Sequence, residues 1–210
     1  NILGAHIDSP RLDIKQNPLY EDSGLVLLDT HYYGGIKKYQ WVALPMALHG
    51  VVALKSGKVI EVTIGEKGTD PVVGVSDLLI HLAGEQMQKK GDKVVEGEDL
   101  NVLVGSMPPV KNDDTKLSDD DIKDNHTDKE PVKKAILALL KSEYGIEEED
   151  FQSAELCVVP AGPARDYGFD RSMIMGYGHD DKVCAYPSLI AQLESVNPDR
   201  TSCCILVDKE

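Results

Sequence analysis

No stretch of about 20 apolar residues occurs in the 210-residue chain, which excludes a membrane-spanning helix. The longest candidate, Tyr39 to Leu54, is too short and carries Gln40, Pro45 and His49. Basic residues are in deficit. Against 36 Asp and Glu stand 22 Lys and Arg, a formal charge of −14, so no basic face is available for nucleic acid. The four cysteines, Cys157, Cys184, Cys203 and Cys204, form no C-x-x-C pair and no disulfide framework, and read as reduced thiols of a cytoplasmic protein. An initiator Met, a signal peptide and a transit composition are all missing. The chain opens on Asn1-Ile-Leu-Gly-Ala-His6 and stops within a strand-like run and its polar exit. Both ends read as cut, so an internal segment of a longer protein is expected.

What is present is an acidic excess confined to two places. Residues Asp113 to Glu130 hold eight acids and three lysines, and Glu143 to Asp150 hold five acids and no base, together −10 of the −14. The first run, up to Asp128, has almost no apolar residue and is expected to be a solvated, mobile loop.

A chain of this length buries roughly 70% of its unfolded surface, enough for one large or two small domains. Asn1 to Asp8 reads as a strand stopped by Ser9-Pro10, and Gly24 to Tyr33 as a second, closed by Gly34-Gly35. Val51–Leu54 and Lys58–Ile64 flank Lys55-Ser56-Gly57 as a hairpin. Ser76 can N-cap a helix carrying Leu78, Leu79, Leu82 and Ala83 on one face and stopping at Gly91. Pro131 opens an amphipathic helix striped by Val132, Ile136, Leu139 and Leu140, and Gly145 ends it. Leu156 to Pro160 is a strand, a helix follows Asp180-Asp181, and Thr201 to Asp208 reads as a buried strand. The two ends thus share a parallel α/β character that the hairpin-rich middle lacks. The expected organisation is an α/β domain in two pieces, 1–11 and 164–210, interrupted by an inserted β-rich domain, 12–163, with two helices.

Three strand exits carry chemistry. His6-Ile7-Asp8 puts two polar side chains on one face, and a ligating His needs a carboxylate to orient its ring. The same pair also reads as a surface His beside an N-capping Asp. Gly178-His179-Asp180-Asp181-Lys182 offers carboxylates of the kind that bridge two cations, and equally a helix N-cap with acid in the first turn. Val207-Asp208-Lys209-Glu210 offers a Glu suited to a general base. Aligned at one sheet edge, the three would build a dinuclear hydrolytic site. Two decoys are set aside: His126-Thr127-Asp128 sits in the acidic run, and Arg11-Leu12-Asp13 follows the first motif directly.

The strings Gly4-Ala-His-Ile-Asp-Ser-Pro-Arg-Leu-Asp13, Asp29-Thr-His-Tyr-Tyr-Gly-Gly-Ile36, Pro160-Ala-Gly-Pro-Ala-Arg-Asp166, Tyr177-Gly-His-Asp-Asp-Lys-Val-Cys-Ala-Tyr186 and Val207-Asp-Lys-Glu210 resemble the M18 metallopeptidases, the aspartyl aminopeptidase and aminopeptidase I family, in its bacterial branch. The resemblance covers essentially the whole chain. It implies a zinc-peptidase α/β domain, an inserted dimerisation domain and a homo-oligomer, a dodecamer built from dimers. It further implies two zinc ions per subunit, with cobalt or manganese as alternatives, and a peptide substrate. His6 is similar to the family's first metal-ligand histidine and Asp8 to the aspartate supporting it. Asp180 resembles the carboxylate bridging both metals, and Glu210 the general base. His81 resembles a dimerisation-domain histidine that reaches a neighbouring subunit's active site. The implied reaction releases N-terminal amino acids: a metal polarises the scissile carbonyl, a metal-bridged water attacks, and Glu210 takes its proton. The second Glu of the family's pair, its later Asp and His ligands and its specificity pocket lie outside this sequence. The other reading is that this polypeptide alone is a non-catalytic oligomerisation module.

Overall fold

Alternating apolar and polar residues build most of the molecule from antiparallel pairs. The computed structural model describes residues 1–109 and 129–209, in which the fold is mixed α/β with few helices. It separates into two compact units, one formed by Asn1–Arg11, Tyr32–Ile36 and Gly162–Glu210 and a larger one by Leu12–His31 and Lys37–Ala161.

Strand β1 (Ile2–His6) belongs to the smaller unit. The larger unit is built on a curled six-stranded sheet of β2 (Arg11–Asp22), β3 (Leu25–Tyr33), β4 (Met46–Ala53), β5 (Val59–Ile64), β6 (Val102–Gly105) and β7 (Ala154–Pro160), of which Arg11, Tyr32 and Tyr33 group with the smaller unit. Its spatial order is β5-β4-β7-β2-β3-β6. Ser23 and Gly24, with φ of 52° and 76°, turn β2 into β3, since positive φ at both positions matches the strands' right-handed twist. The hairpin expected around Gly57 forms, with Val52 opposite Ile60 and His49 opposite Thr63. On the inner face Leu12 pairs with Val158, and both are fully buried together with Met46, Val52 and Val102. Gly50 has φ 140°, and a Cβ there would collide with the Glu155 carbonyl of the neighbouring strand, so β4 requires glycine at this point.

Helix α1 (Pro131–Tyr144) forms between the residues that the pattern named. Pro131 takes the first position, and the Glu21 carboxylate accepts the Lys133 N–H at 2.9 Å, satisfying one of the helix's free donors. At the other end Gly145 adopts φ 71° and its N–H reaches the Lys141 carbonyl. Val132 is buried, and Ile136 lies against Gly105 of β6. Between α1 and the sheet remains an apolar cavity of about 290 Å³, lined by Leu28, Leu48, Val104, Ile136, Leu140 and Phe151 among others.

In the smaller unit β1 runs parallel to β10 (Cys203–Val207), with α2 (Lys182–Glu194) packed against both. A separate antiparallel pair is formed by β8 (Arg165–Tyr167) and β9 (Met173–Met175).

Several expectations are corrected. The second helix of the middle region does not form over 76–91; turns occupy 80–82 and 84–85, and only Gln86–Gln88 is helical, as one 3₁₀ turn. Asp77, rather than Ser76, accepts the Leu78 N–H and also binds Gln86, while Leu78, Leu79 and Leu82 stay exposed. Leucines that nothing covers among the described residues do not repay helix nucleation. Strand β2 was not anticipated, because Lys15-Gln16-Asn17-Pro18 interrupts its alternation. Strand β10 is not buried: Ile205, Leu206 and Val207 are 38–46% exposed, since only β1 and α2 pack on it among the described residues. The acidic run Asp113 to Asp128 and its His126-Thr127-Asp128 decoy lie outside the described residues, as does Glu210. No helix of the described residues is long and apolar enough to cross a membrane.

Candidate functional site

Strand β1 ends at His6 in register with Val207, and the Ile7 N–H still donates to the Val207 carbonyl at 2.8 Å. His6 therefore leaves the sheet at the carboxyl ends of two parallel strands, where open α/β sheets place ligands. The first turn of α2 is closed by Val183 N–H on the His179 carbonyl and by Cys184 and Ala185 N–H on the Asp181 carbonyl. Buried Ala185 seats this turn, and Asp180 stands immediately ahead of it. The loop before the helix is pinned to the segment after β1: Tyr177 O–H donates to the Pro10 carbonyl at 2.6 Å, and Lys182 Nζ to Ser9 Oγ at 3.0 Å.

These local structures bring three of the anticipated residues together. His6 Nδ1 lies 3.2 Å from both Asp8 Oδ1 and the Asp8 carbonyl oxygen. Two acceptors on that side assign the ring proton to Nδ1, the tautomer in which Nε2 carries the lone pair that ligates a metal. Nε2 lies 3.5 Å from Asp180 Oδ1. The Asp8 side chain is 3% exposed and that of Asp180 93%, so one carboxylate is structurally enclosed and the other is open to an incoming ion. His81 belongs to the larger unit and is exposed within a turn.

Asp8 has a further partner: Tyr33 O–H donates to Asp8 Oδ2. This bond, then burial and the Asp8 charge, hold the Tyr33 phenol above its ordinary pKa, while Arg11 opposes the shift. The Arg11 guanidinium sits 4.3 Å from the Tyr33 ring centroid and Lys209 Nζ 5.5 Å from it. Behind Asp180, the Asp181 carboxylate accepts a hydrogen bond from Cys184 and raises its thiol pKa, which favours the protonated form. None of the four cysteines is in a disulfide. Among the described residues no group of three or more His, Cys, Asp or Glu side chains is arranged to hold a metal ion. A 350 Å³ cavity flanked by Asp77 and Asp99 and the apolar cavity beneath α1 are lined by none of the site residues.

Over residues 1–210 the chain matches the family model described as aminopeptidase I zinc metalloprotease (M18). The chain belongs to the M18 family. It is 60% identical over 209 residues to the "Probable M18 family aminopeptidase 1" of Clostridium acetobutylicum, a match covering 100% of this chain and 42% of that protein. The crystal structure of aminopeptidase I from the same organism superposes with a TM-score of 0.83 at 56% identity, covering 100% of this chain and 43% of that one. The M18 aminopeptidase structure from Thermotoga maritima gives 0.85 at 45%, with the same coverage. The dodecameric mApe1 of S. cerevisiae shares the fold, at 17% identity and a TM-score of 0.57 over 99% of this chain and 43% of its own. This M18 chain thus spans less than half the length of the relatives it matches.

Reading the M18 motifs alone passed over Tyr33, Arg11 and Tyr177 as site residues. In the sequence Tyr33 marks only a strand end inside one of the motifs, and Arg11 only part of a decoy. The available signal was the pair Gly34-Gly35. Gly34 has φ 82°, and a Cβ there would come within 3.2 Å of Pro10, so the tyrosines are followed by a turn built to lie against the His6-Asp8 segment.

Proposed function

We propose that the protein to which this chain belongs is a dinuclear zinc aminopeptidase releasing N-terminal residues from peptides. The observation that carries the reading is the His6 ring, tied through Nδ1 to enclosed Asp8 and facing exposed Asp180 through Nε2. The donors suit zinc, which accepts imidazole nitrogen and carboxylate oxygen. The two donor atoms, Nε2 and Oδ1, face each other across 3.5 Å. His6 and Asp180 would hold zinc, with Asp180 read as serving both ions. When bound, zinc polarises the scissile carbonyl and activates water for hydrolysis; cobalt or manganese could serve similar donors.

The chain's own residues divide the work. Asp8 accepts the Nδ1 proton of His6 and keeps the imidazole in its ligating tautomer. Asp180, open to solvent, offsets positive charge without a large structural cost. Glu210 accepts the proton of the attacking water. The hairpin-rich segment 12–163 is read as an inserted dimerisation domain between the α/β pieces 1–11 and 164–210. His81, exposed in its turn, is read as reaching the active site of a neighbouring subunit in a dimer-based, dodecameric cytoplasmic enzyme.

A substitution series in the full-length protein tests this. His6→Ala should remove zinc from one site and Asp180→Ala from both. Asp8→Asn should lower zinc affinity about 10–100-fold. Glu210→Gln should keep its metal and lose about 10²–10⁴ in kcat. Normal zinc content in both His6→Ala and Asp180→Ala would refute the site.

The absence of a third ligand among the described residues favours a second reading for this polypeptide by itself, a non-catalytic oligomerisation module. Zinc titration of the 210-residue chain separates the two, because tight uptake of two ions per chain is incompatible with the module.

A further inference from the structure

We propose that Tyr33 is a positioning residue for the metal centre, acting on His6 through Asp8. The inference rests on His6 being a zinc ligand and adds a residue that the M18 motifs did not assign to the site.

The geometry forms a relay. Asp8 is 8% exposed, and a carboxylate removed from water needs donors on both oxygens. Its Oδ1 meets His6 Nδ1, and its Oδ2 receives the Tyr33 hydroxyl. With both oxygens engaged, rotation about χ2 would break two hydrogen bonds, so the plane of the carboxylate, and with it the imidazole, is set. A neutral phenol donor also withdraws charge from Asp8, which limits how basic the carboxylate makes the ring. Orientation and basicity are the two properties by which groups behind a ligand tune a metal.

Tyr33 is itself held. Arg11 stacks on its ring, Lys209 approaches it, and the turn after it rests Gly34 on Pro10. Tyr32–Ile36 is the one stretch between Leu12 and Ala161 that groups with the smaller unit, although Tyr33 ends a strand whose beginning lies in the larger one. Lys209 immediately precedes Glu210 in sequence.

Tyr33→Phe keeps the ring and removes only the donor. In the full-length protein, zinc affinity measured against a fluorescent chelator should fall at least threefold, short of the loss when a group bonded directly to the ligand goes. In the zinc-free protein the ¹⁵N resonances of His6 should shift toward a mixture of tautomers. In an Asp8→Asn background the same substitution should add less than its single effect, because both act along one path. A merely structural tyrosine would lower the melting temperature equally in all backgrounds and leave His6 resonances and zinc affinity in place. The proposal is overturned if zinc affinity falls less than threefold with unchanged His6 resonances, or if the effects of Tyr33→Phe and Asp8→Asn are additive. If His6→Ala also retains zinc, the metal site itself has failed; if His6→Ala loses zinc while Tyr33→Phe does not, only the role of Tyr33 has.

Discussion

The two units solve different problems. The larger one buries Leu12, Met46, Val52, Leu100, Val102 and Val158 completely, across the faces of a six-stranded sheet and beneath α1. The smaller one, among the described residues, buries only Ala5 and Ala185 of its apolar side chains, while Ile2, Val183, Tyr186 and Leu193 are 64–76% exposed. Yet the smaller one carries the buried polar pair Asp8 and Ser9 and every hydrogen bond of the candidate site. A unit that buries two alanines gains little hydrophobic stabilisation of its own. Chemistry and hydrophobic stabilisation are therefore concentrated in different parts of this chain.

The sharpest way to break that contrast is at Gly50. Its φ of 140° and the proximity of the Glu155 carbonyl leave no room for a side chain. Gly50→Ala should cost about 3 kcal/mol or more by denaturant unfolding, among the largest effects of a single methyl. A variant within about 1 kcal/mol of wild type would mean that β4 and β7 part easily.

Next comes a matched pair of truncations. Leu12→Ala, at a fully buried position, should destabilise by about 2–5 kcal/mol, whereas Leu193→Ala, 70% exposed, should stay within about 0.5 kcal/mol. Hydrogen exchange should agree, with amides of β4 and β7 the slowest and those of β1 and β10 in this polypeptide much faster. Equal costs at the two leucines would erase the distinction.

A smaller effect sharpens the site side. Tyr33 has its phenol pKa raised in the folded protein by the bond to Asp8, so the protonated form is favoured by folding. Its contribution is fully present below the unfolded phenol value of about 10 and is lost as pH rises through the folded one. The difference in urea midpoint between wild type and Tyr33→Phe should therefore be constant near neutral pH and shrink above about pH 10. A difference that grows at high pH would reverse the assigned direction.

The smallest effect is expected at the exposed Lys141–Glu147 pair, 2.8 Å apart at the end of α1. Lys141→Ala should leave the unfolding midpoint of the protein within error, as screening removes most of such a pair's benefit.

Legibility followed the same division. Helix α1 could be read from Pro131, its apolar stripe and Gly145 because start, face and stop are all local. The hairpin at Gly57 and the helix after Asp181 were equally accessible. The stripe Leu78-Leu79-Leu82 misled, since periodicity reports what a helix could bury and not whether a partner exists. At the site, His6, Asp8 and Asp180 stood out through their motifs, while Tyr33 did not: a tyrosine at a strand end has no signature until its hydroxyl finds a carboxylate 25 positions away in sequence.

By itself, then, the sequence determined the residue chemistry of the strand exits, the family to which the chain belongs, the acidic balance and those elements whose boundaries are written in neighbouring residues. Only the tertiary structure decided that β1 pairs in parallel with β10, so that His6 leaves the sheet beside Val207. It also decided that Asp180 faces Nε2 of His6 and that Tyr33 closes over Asp8. The physical reason is range. Turn, cap and periodicity signals act over a few residues, whereas a ligating geometry depends on which distant strands share hydrogen bonds, and that is settled by the burial of the whole chain.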